Sequence, residues 1–180
     1  MIPTREQSDG PMSLFDTAAL SDALLGRDLP ADAEAELRLA GLAYQSDEEA
    51  ERHLFRARAL APDHPAVLIG FYRFYFYKSR LEDALIVARL CLLKAARDNA
   101  LNPDWRRVAI EDADFGSYDA VLPRFYLFTL KAYAYLQLRL GHLEEGRDAA
   151  LKTVALDPTD KVGAKVLLDV LARSGVSDDD

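Results

Sequence analysis

The sequence has little of what disulfides, secretion or membrane insertion require. Cys91 is the one cysteine in the chain, which excludes an intramolecular disulfide. Residues 1–10 are polar and charged where a signal peptide would be apolar. The best apolar run, residues 66–77, is interrupted by Arg73 and is shorter than the ~18 residues that a membrane-spanning helix needs. We therefore expect a cytoplasmic protein with no membrane partner.

Motifs for catalysis and metal binding are also missing. His53, His64 and His142 are far apart in the sequence and lack metal-site spacing, and no HExxH, P-loop, GxSxG or CxxC motif is present. Acidic pairs such as Glu48 and Glu49 fall in the first turns of predicted helices, where the helix dipole favours carboxylates. We expect a protein that is not an enzyme and that holds no cofactor and no metal.

The net charge argues against nucleic acid as a partner. The chain has 30 acidic and 22 basic residues, for a net charge of -8, and would repel phosphate backbones and anionic lipid. The charge is unevenly spread: residues 1–64 carry 6 bases and 13 acids, for -7, whereas residues 65–126 carry 9 bases and 8 acids, for +1. The middle of the chain is therefore the better candidate for binding an acidic partner.

A sequence pattern recurs at a regular interval along the chain. Ala50 and Ala84 each follow an acidic pair at the start of a predicted helix, and 84 minus 50 gives a period of 34. Gly146 follows a third such pair, and 146 minus 84 is 62, which is one period plus an insertion of 28 positions. Repeats of this length are typical of stacked pairs of antiparallel helices. We expect these small residues where the two helices of a pair cross, because a larger side chain would force the helices apart.

The recurring residues resemble those of the tetratricopeptide repeat family. The matching positions are Leu37, Ala50, Ala57, Pro62, Leu68, Phe71, Tyr75, Ala84, Leu130, Tyr133, Ala134, Gly141, Leu156 and Pro158. The resemblance implies an all-α fold, a right-handed α–α superhelix or solenoid of about three helix–turn–helix units. The units would be residues 31–64, 65–98 and 127–160, with an insertion over about 99–126.

The chain departs from the family pattern at several places. Gly146 replaces the usual alanine, Cys91 and Thr153 stand where unit one has Ala57, and unit two lacks its closing proline. The aromatic run of residues 71–77 adds a weaker resemblance, which no motif carries, to small repeat proteins encoded near nitrogen-fixation genes in proteobacteria.

The repeat predicts one domain over residues 13–174. The helix pairs are expected over residues 31–44 and 47–60, 65–78 and 81–97, and 123–140 and 143–156. Residues 71–77 have strong β propensity, but Pro65 at a helix start and the length of the unit favour a helix there. Ser46 with Glu49, and Ser79 with Glu82, are interpreted as capping boxes of the second helices.

Segments outside the repeats are predicted to cap the stack. Residues 1–12 are expected to be flexible, and Ser13 to cap an N-terminal helix over residues 14–26 with Leu14, Ala18 and Leu25 along one face. A short helix is expected over residues 103–110 of the insertion. A C-terminal helix over about 160–174 would cover the last unit, and residues 175–180 would be a disordered acidic tail. The inward residues of the C-terminal helix are expected to be Val162, Val166, Leu167 and Val170.

The resemblance also implies where a ligand would bind, because the first helices of such units line a concave groove. In unit one the groove positions are Ala35, Leu39, Leu42 and Ala43. In units two and three they are Ile69, Arg73, Phe76, Tyr77, Lys131, Tyr135, Leu138 and Arg139. This basic and aromatic set suits a peptide with aromatic or apolar anchors and an acidic group. Ala35 and Leu39 stand where the family's chaperone-binding carboxylate clamp needs Lys and Asn, so that subclass is not expected.

Alternatives remain at each of these positions. The groove aromatics could pack within the fold instead of binding a ligand, and Lys131 and Arg139 could be ordinary surface side chains. The insertion, with Trp105, Glu111, Asp112 and Asp114, could fold toward the groove and match its positive charges, or it could be a spacer packed on the convex side through Trp105.

The predicted function is protein binding without catalysis. The chain would act as an adaptor or an assembly or accessory factor that holds a peptide or protein segment in its concave groove. Two alternatives are a homodimer that uses the aromatic faces and a small-ligand regulatory protein with the insertion as a lid over Tyr77, Tyr135 and Arg73.

Overall fold

The computed structural model describes residues 28–117 and 119–176, with side chains as far as residue 173. This part of the chain is all-helical, with seven α-helices and no strand. They are α1 Ala31–Leu42, α2 Asp47–Leu60, α3 Pro65–Tyr77, α4 Leu81–Asp98, α5 Val121–Arg139, α6 Leu143–Leu156 and α7 Lys165–Val176. The predictions for residues 1–12, for the helix over 14–26 and for residues 177–180 fall outside the described residues.

The helices repeat with the spacing that the small residues predicted. Helices α1 and α3 begin at positions 31 and 65, and α2 and α4 begin at positions 47 and 81, so both pairs are offset by one period. The helix over residues 71–77 is confirmed within α3. Pro65 begins this helix, and the Nδ1 atom of His64 accepts a hydrogen bond from the Ala66 amide at 3.1 Å. Burial of its apolar side chains against α2 and α4 outweighs the local β preference.

Neighbouring helices pack in pairs and the pairs pack on one another. Helix α1 lies against α2, α3 against α4 and α5 against α6, while α4 also contacts α5 and α7 contacts α6. Ala50 and Ala84 are completely buried in these pairs, as are Cys91 and Thr153 at the positions equivalent to Ala57. None of the described helices is both long enough and apolar enough to cross a lipid bilayer.

The turn between α3 and α4 corrects one predicted capping box. Ser79 does not cap α4, because its φ of 58° places it in the left-handed region just after α3. The Arg80 amide donates to the Tyr75 carbonyl at 2.9 Å, the closing bond of a Schellman turn, so Arg80 precedes α4. Gly141 makes the same turn after α5 with a φ of 83°. Ser46 does precede α2, but its side chain forms no capping hydrogen bond.

The inserted segment contains two short 3₁₀ helices, Trp105–Arg107 and Ile110–Asp112, where the sequence predicted one helix over residues 103–110. Local hydrogen bonds explain the difference. Asp104 accepts from the Arg106 amide at 3.1 Å and Asp112 accepts from the Ala109 amide at 2.8 Å. Such side-chain acceptors compete with the carbonyls that a continuous helix would use.

Helix α7 begins later than expected, at Lys165 instead of position 160, because Asp160 shapes the preceding turn. The φ of Asp160 is 56°, and its carboxylate accepts from the Ala164 amide at 2.6 Å and the Lys165 amide at 3.1 Å. Val162 and Leu167 are buried as predicted, and Val166 is half-buried. The prediction for Val170 is wrong, since its side chain is 51% exposed.

Candidate functional site

An apolar cleft lies between α1 and α3, the first helices of the two leading pairs. Its volume is about 380 Å³. Its lining residues are Leu37, Ala40, Gly41, Tyr44, Leu54, Ala66, Ile69, Gly70, Arg73, Phe74 and Tyr77. Small residues create the space: a Cβ atom added at Gly41 would meet nothing within 4 Å, whereas one at Gly70 would lie 3.1 Å from Leu37 Cδ2. The cleft is therefore open beside Gly41 and closed at Gly70.

Sequence reasoning missed the α1 side of this cleft. Leu37, Ala40, Gly41 and Tyr44 line it, at the spacing of one helical stripe. The positions predicted from the resemblance face elsewhere: Leu39 is 42% exposed and Leu42 is 79% exposed. Because α1 is rich in alanine and leucine on several sides, its hydrophobic pattern does not single out one face.

Helix α3 carries four of the predicted groove residues. Ile69 is buried at the cleft, Arg73 is exposed and also lines the cleft, and Tyr77 is 53% exposed at its end. Phe76 is half-buried, and its ring lies 6.1 Å from that of Tyr135 on α5. The aromatic side chains of α3 thus run from the cleft toward α5.

Helix α5 continues this surface with Tyr135 and Arg139. Arg139 Nη1 donates to the Tyr135 hydroxyl at 2.6 Å, and the guanidinium carbon lies 5.6 Å from the Tyr135 ring centroid. We use the name inner face for Arg73, Phe76, Tyr77, Tyr135 and Arg139. It presents aromatic rings and two guanidinium groups next to the apolar cleft.

Lys131 and Leu138, two further predicted groove residues, lie within the helix packing. Lys131 is 8% exposed, and its ammonium donates to the Val162 carbonyl at 2.7 Å. Burial lowers the pKa of Lys131, although the nearby Asp160 carboxylate opposes this change. Leu138 packs directly on Gly146 of α6. The hydrogen bond of Lys131 therefore holds the segment before α7 against α5. Leu138 is part of the contact between α5 and α6.

Trp105 anchors the inserted segment to α5 and α6. It is 7% exposed, and its ring centroid lies 6.2 Å from that of Tyr133. The Arg106 guanidinium covers the Trp105 ring at 4.2 Å and is hydrogen-bonded to Glu145, which also accepts from the Tyr133 hydroxyl at 2.5 Å. Further along, Lys152 of α6 donates to the Val108 carbonyl at 2.9 Å. These contacts are those of a packed spacer.

The acidic residues of the insertion are used locally. Glu111, Asp112 and Asp114 are all exposed to solvent. The Asp114 carboxylate accepts from the Ser117 amide at 3.1 Å, much as Asp112 accepts from Ala109. In the described contacts the Asp112 and Asp114 carboxylates accept from nearby backbone amides, and Lys131 donates to the Val162 carbonyl, so these contacts do not show the expected charge match with the groove cations. The alternative of a packed spacer fits the structure better.

The contacts of Cys91, His53 and His142 are those of residues that support the fold. Cys91 is completely buried, and burial raises the pKa of its thiol to about 12, so little reactive thiolate forms at neutral pH. His53 Nδ1 lies 2.6 Å from the Glu36 carboxylate, and His142 Nδ1 lies 2.7 Å from the Gln137 side-chain oxygen. Within residues 28–117 and 119–176, no cluster of three or more His, Cys, Asp or Glu side chains is placed to hold a metal ion.

Comparison with known proteins identifies a relative in a bacterium of the genus Azotobacter. An uncharacterized 19.8 kDa protein from the nifW 5′ region of Azotobacter chroococcum mcd 1 is 43% identical over 125 residues, which cover 69% of this chain and 70% of that protein. The chain belongs to the family of that protein. No family model matches the chain, and no solved structure matches it.

Proposed function

We propose that the chain is a tetratricopeptide-type solenoid that binds a segment of a partner protein without catalysing a reaction. The regular spacing of the helix starts and the burial of Ala50 and Ala84 support the repeat architecture. In such a stack the first helices, α1, α3 and α5, form the concave side. The cleft and the inner face both lie on these three helices.

One observation carries the proposed function: an apolar cleft lies next to exposed aromatic and cationic side chains on a protein of net charge -8. An apolar side chain of the partner would enter the cleft beside Gly41. A neighbouring carboxylate would be held by Arg73 or Arg139, since guanidinium groups bind carboxylates through two parallel hydrogen bonds. Tyr77, half exposed at the end of the cleft, would supply contact area with little loss of conformational entropy.

The role that follows is that of a cytoplasmic adaptor or assembly factor. The partner would be an acidic protein segment with at least one bulky apolar residue, and neither nucleic acid nor a lipid surface. The gene of the A. chroococcum relative lies in the nifW 5′ region. We therefore propose that partners be sought first among proteins encoded close to that region.

Paired charge reversals test this function. The full chain carrying Arg73→Glu with Arg139→Glu is compared with one carrying Arg52→Glu with Arg56→Glu, two exposed arginines on α2. Both variants change the net charge by the same amount. We expect the inner-face pair to weaken partner binding at least ~100-fold, equal to about 2.7 kcal/mol, and the α2 pair to leave it nearly unchanged.

The measurement is affinity capture with each variant from the native cell, followed by calorimetry with the captured protein. Circular dichroism before each capture confirms that both variants remain helical. Equal capture by the two variants, or selective loss with the α2 pair, would show that the inner face is not the binding surface.

A further inference from the structure

We propose that the chain forms a two-fold symmetric homodimer in which the groove between α6 and α7 of one copy packs against the same groove of a second copy. This groove shares no residue with the α1–α3 cleft, and the dimer does not depend on the function proposed above. Three features support it: the apolar side chains of the groove, their symmetric arrangement on α6, and charges of both signs at the centre of that arrangement.

The groove between α6 and α7 has apolar side chains on both sides, and its volume is about 600 Å³. Leu143 and Leu151 of α6 are 56% and 45% exposed along it. Leu168 and Leu171 of α7 are half-buried on the opposite side. Among the described helices, α7 packs mainly on α6. A helix of a second molecule that lies in the groove would therefore remove this apolar surface from water.

The side chains that α6 contributes to the groove are arranged symmetrically about Arg147. Leu143 stands four positions before it and Leu151 four positions after it, so the three residues share one face of the helix. If two such helices cross antiparallel at Arg147, Leu143 of each copy meets Leu151 of the other. A two-fold interface requires this self-complementarity, because residue i contacts residue j and residue j contacts residue i. The pattern therefore favours a second copy over an unrelated partner.

Charges of both signs lie at the centre of this pattern. Glu144, Arg147 and Asp148 are exposed and line the groove, and they form no ion pair with other residues of the described part of the chain. In the antiparallel crossing, Arg147 of one copy comes next to Asp148 of the other, with Glu144 one turn away. Symmetry repeats this contact, so each of the two guanidinium groups has a carboxylate beside it. The electrostatic match is thus supplied by two identical surfaces.

The size of the surface predicts a dimer of moderate affinity. Helices α6 and α7 have 14 and 12 residues, which corresponds to lengths of about 21 Å and about 18 Å. Side by side they form a face of roughly 20 Å by 20 Å. This is smaller than the ~800 Å² that each partner buries in a standard stable interface, so we expect a dissociation constant in the micromolar range.

The dimer would present two α1–α3 clefts to a partner. A partner with two binding segments would then be held more tightly than by a single copy, because the second segment binds at a high effective concentration. This consequence rests on the proposed function, whereas the dimer itself does not.

A leucine substitution in the full chain tests the groove. Leu151→Arg places a charge among the apolar side chains of the interface. Leu93→Arg is the matched control, because Leu93 is a leucine of α4 with a similar exposure of 46%. Sedimentation velocity is measured between about 5 and 200 µM, which brackets a micromolar dissociation constant. We expect the unchanged chain and Leu93→Arg to dimerise, and Leu151→Arg to associate at least about tenfold more weakly. Circular dichroism confirms that each variant remains helical.

Complementary charge reversals test the symmetry. In a homodimer, Arg147→Asp places aspartates against aspartates and Asp148→Arg places arginines against arginines, so each variant alone should be monomeric. In an equimolar mixture each arginine again faces an aspartate across the interface, and we expect a heterodimer. A contact within one molecule could not produce this rescue.

Several results would overturn the proposal. The unchanged chain could be monomeric up to about 200 µM, whatever else binds the groove. Leu93→Arg could weaken the dimer as much as Leu151→Arg does, or the mixture of the two charge variants could remain monomeric. A dimer that is lost with Arg73→Glu and Arg139→Glu but kept with Leu151→Arg would place the interface on the inner face. These outcomes do not depend on partner capture, so failure of the proposed function would be seen separately.

Discussion

Replacing Trp105 by alanine is expected to lower the free energy of unfolding by about 3–5 kcal/mol. The indole is 7% exposed and packs between Tyr133 and the Arg106 guanidinium. Its removal leaves a cavity at the junction of the insertion with α5 and loosens the position of Arg106, whose partner is Glu145. Urea denaturation followed by circular dichroism measures the change.

The same variant distinguishes between two roles of the inserted segment, a packed spacer and a ligand-binding lid. Ile110→Ala, at a 48% exposed position in the same insertion, is the control and should change stability by no more than about 0.5 kcal/mol. If the insertion is a packed spacer, Trp105→Ala should bind the partner normally at temperatures where it is folded. A stability loss below about 1 kcal/mol, or lost binding at unchanged stability, would contradict this account.

Gly146→Ala is expected to lower the free energy of unfolding by about 2 kcal/mol. An alanine Cβ would lie 2.6 Å from Leu138 Cγ and 2.9 Å from the Leu138 backbone nitrogen. The leucine side chain can rotate, but the backbone of α5 cannot move without separating α5 from α6. Because alanine favours an isolated helix over glycine by about 1 kcal/mol, intrinsic propensity predicts the opposite sign.

Gly41→Ala is the control for this prediction. Gly41 is also a helical glycine, but its added Cβ would meet nothing within 4 Å. We expect this variant to be more stable by about 0.5–1 kcal/mol. Thermal melts of both variants under one buffer give the comparison. If Gly146→Ala melts higher than the unchanged chain, the close approach of α5 and α6 is not as described.

Most of the helical architecture could be predicted from the period. The small side chains at Ala50, Ala84 and Gly146 mark helix contacts, and contacts of this kind depend on size, which can be read directly from a sequence. The same period correctly predicted a helix over residues 71–77 against their β propensity. Tertiary burial decides such cases, because intrinsic preferences are worth only a fraction of the packing energy.

The site was only partly predictable, for two physical reasons. A repeat position specifies where the Cα atom of a residue lies but not which groups its side chain contacts. The repeat therefore predicts Lys131 in the groove, whereas its ammonium donates to the Val162 carbonyl. The cleft beside Gly41 is lined by residues of both α1 and α3, and no single-helix pattern encodes how two helices pack. Outside the site, Ser79 was mispredicted for a different reason: a serine before an acidic helix start resembles a cap, but here its backbone lies in the left-handed region.

A chemical-shift map of the full chain titrated with the captured partner segment tests the central claim most directly. We predict that amide shifts concentrate on α1, α3 and α5, at Gly41, Tyr77 and Arg139 above all. The exposed apolar residues of α2 and α4, Phe55 and Ile86, should not shift. Shifts confined to Phe55 and Ile86, with Gly41 and Tyr77 unmoved, would place binding on the opposite side of the helices and contradict the account.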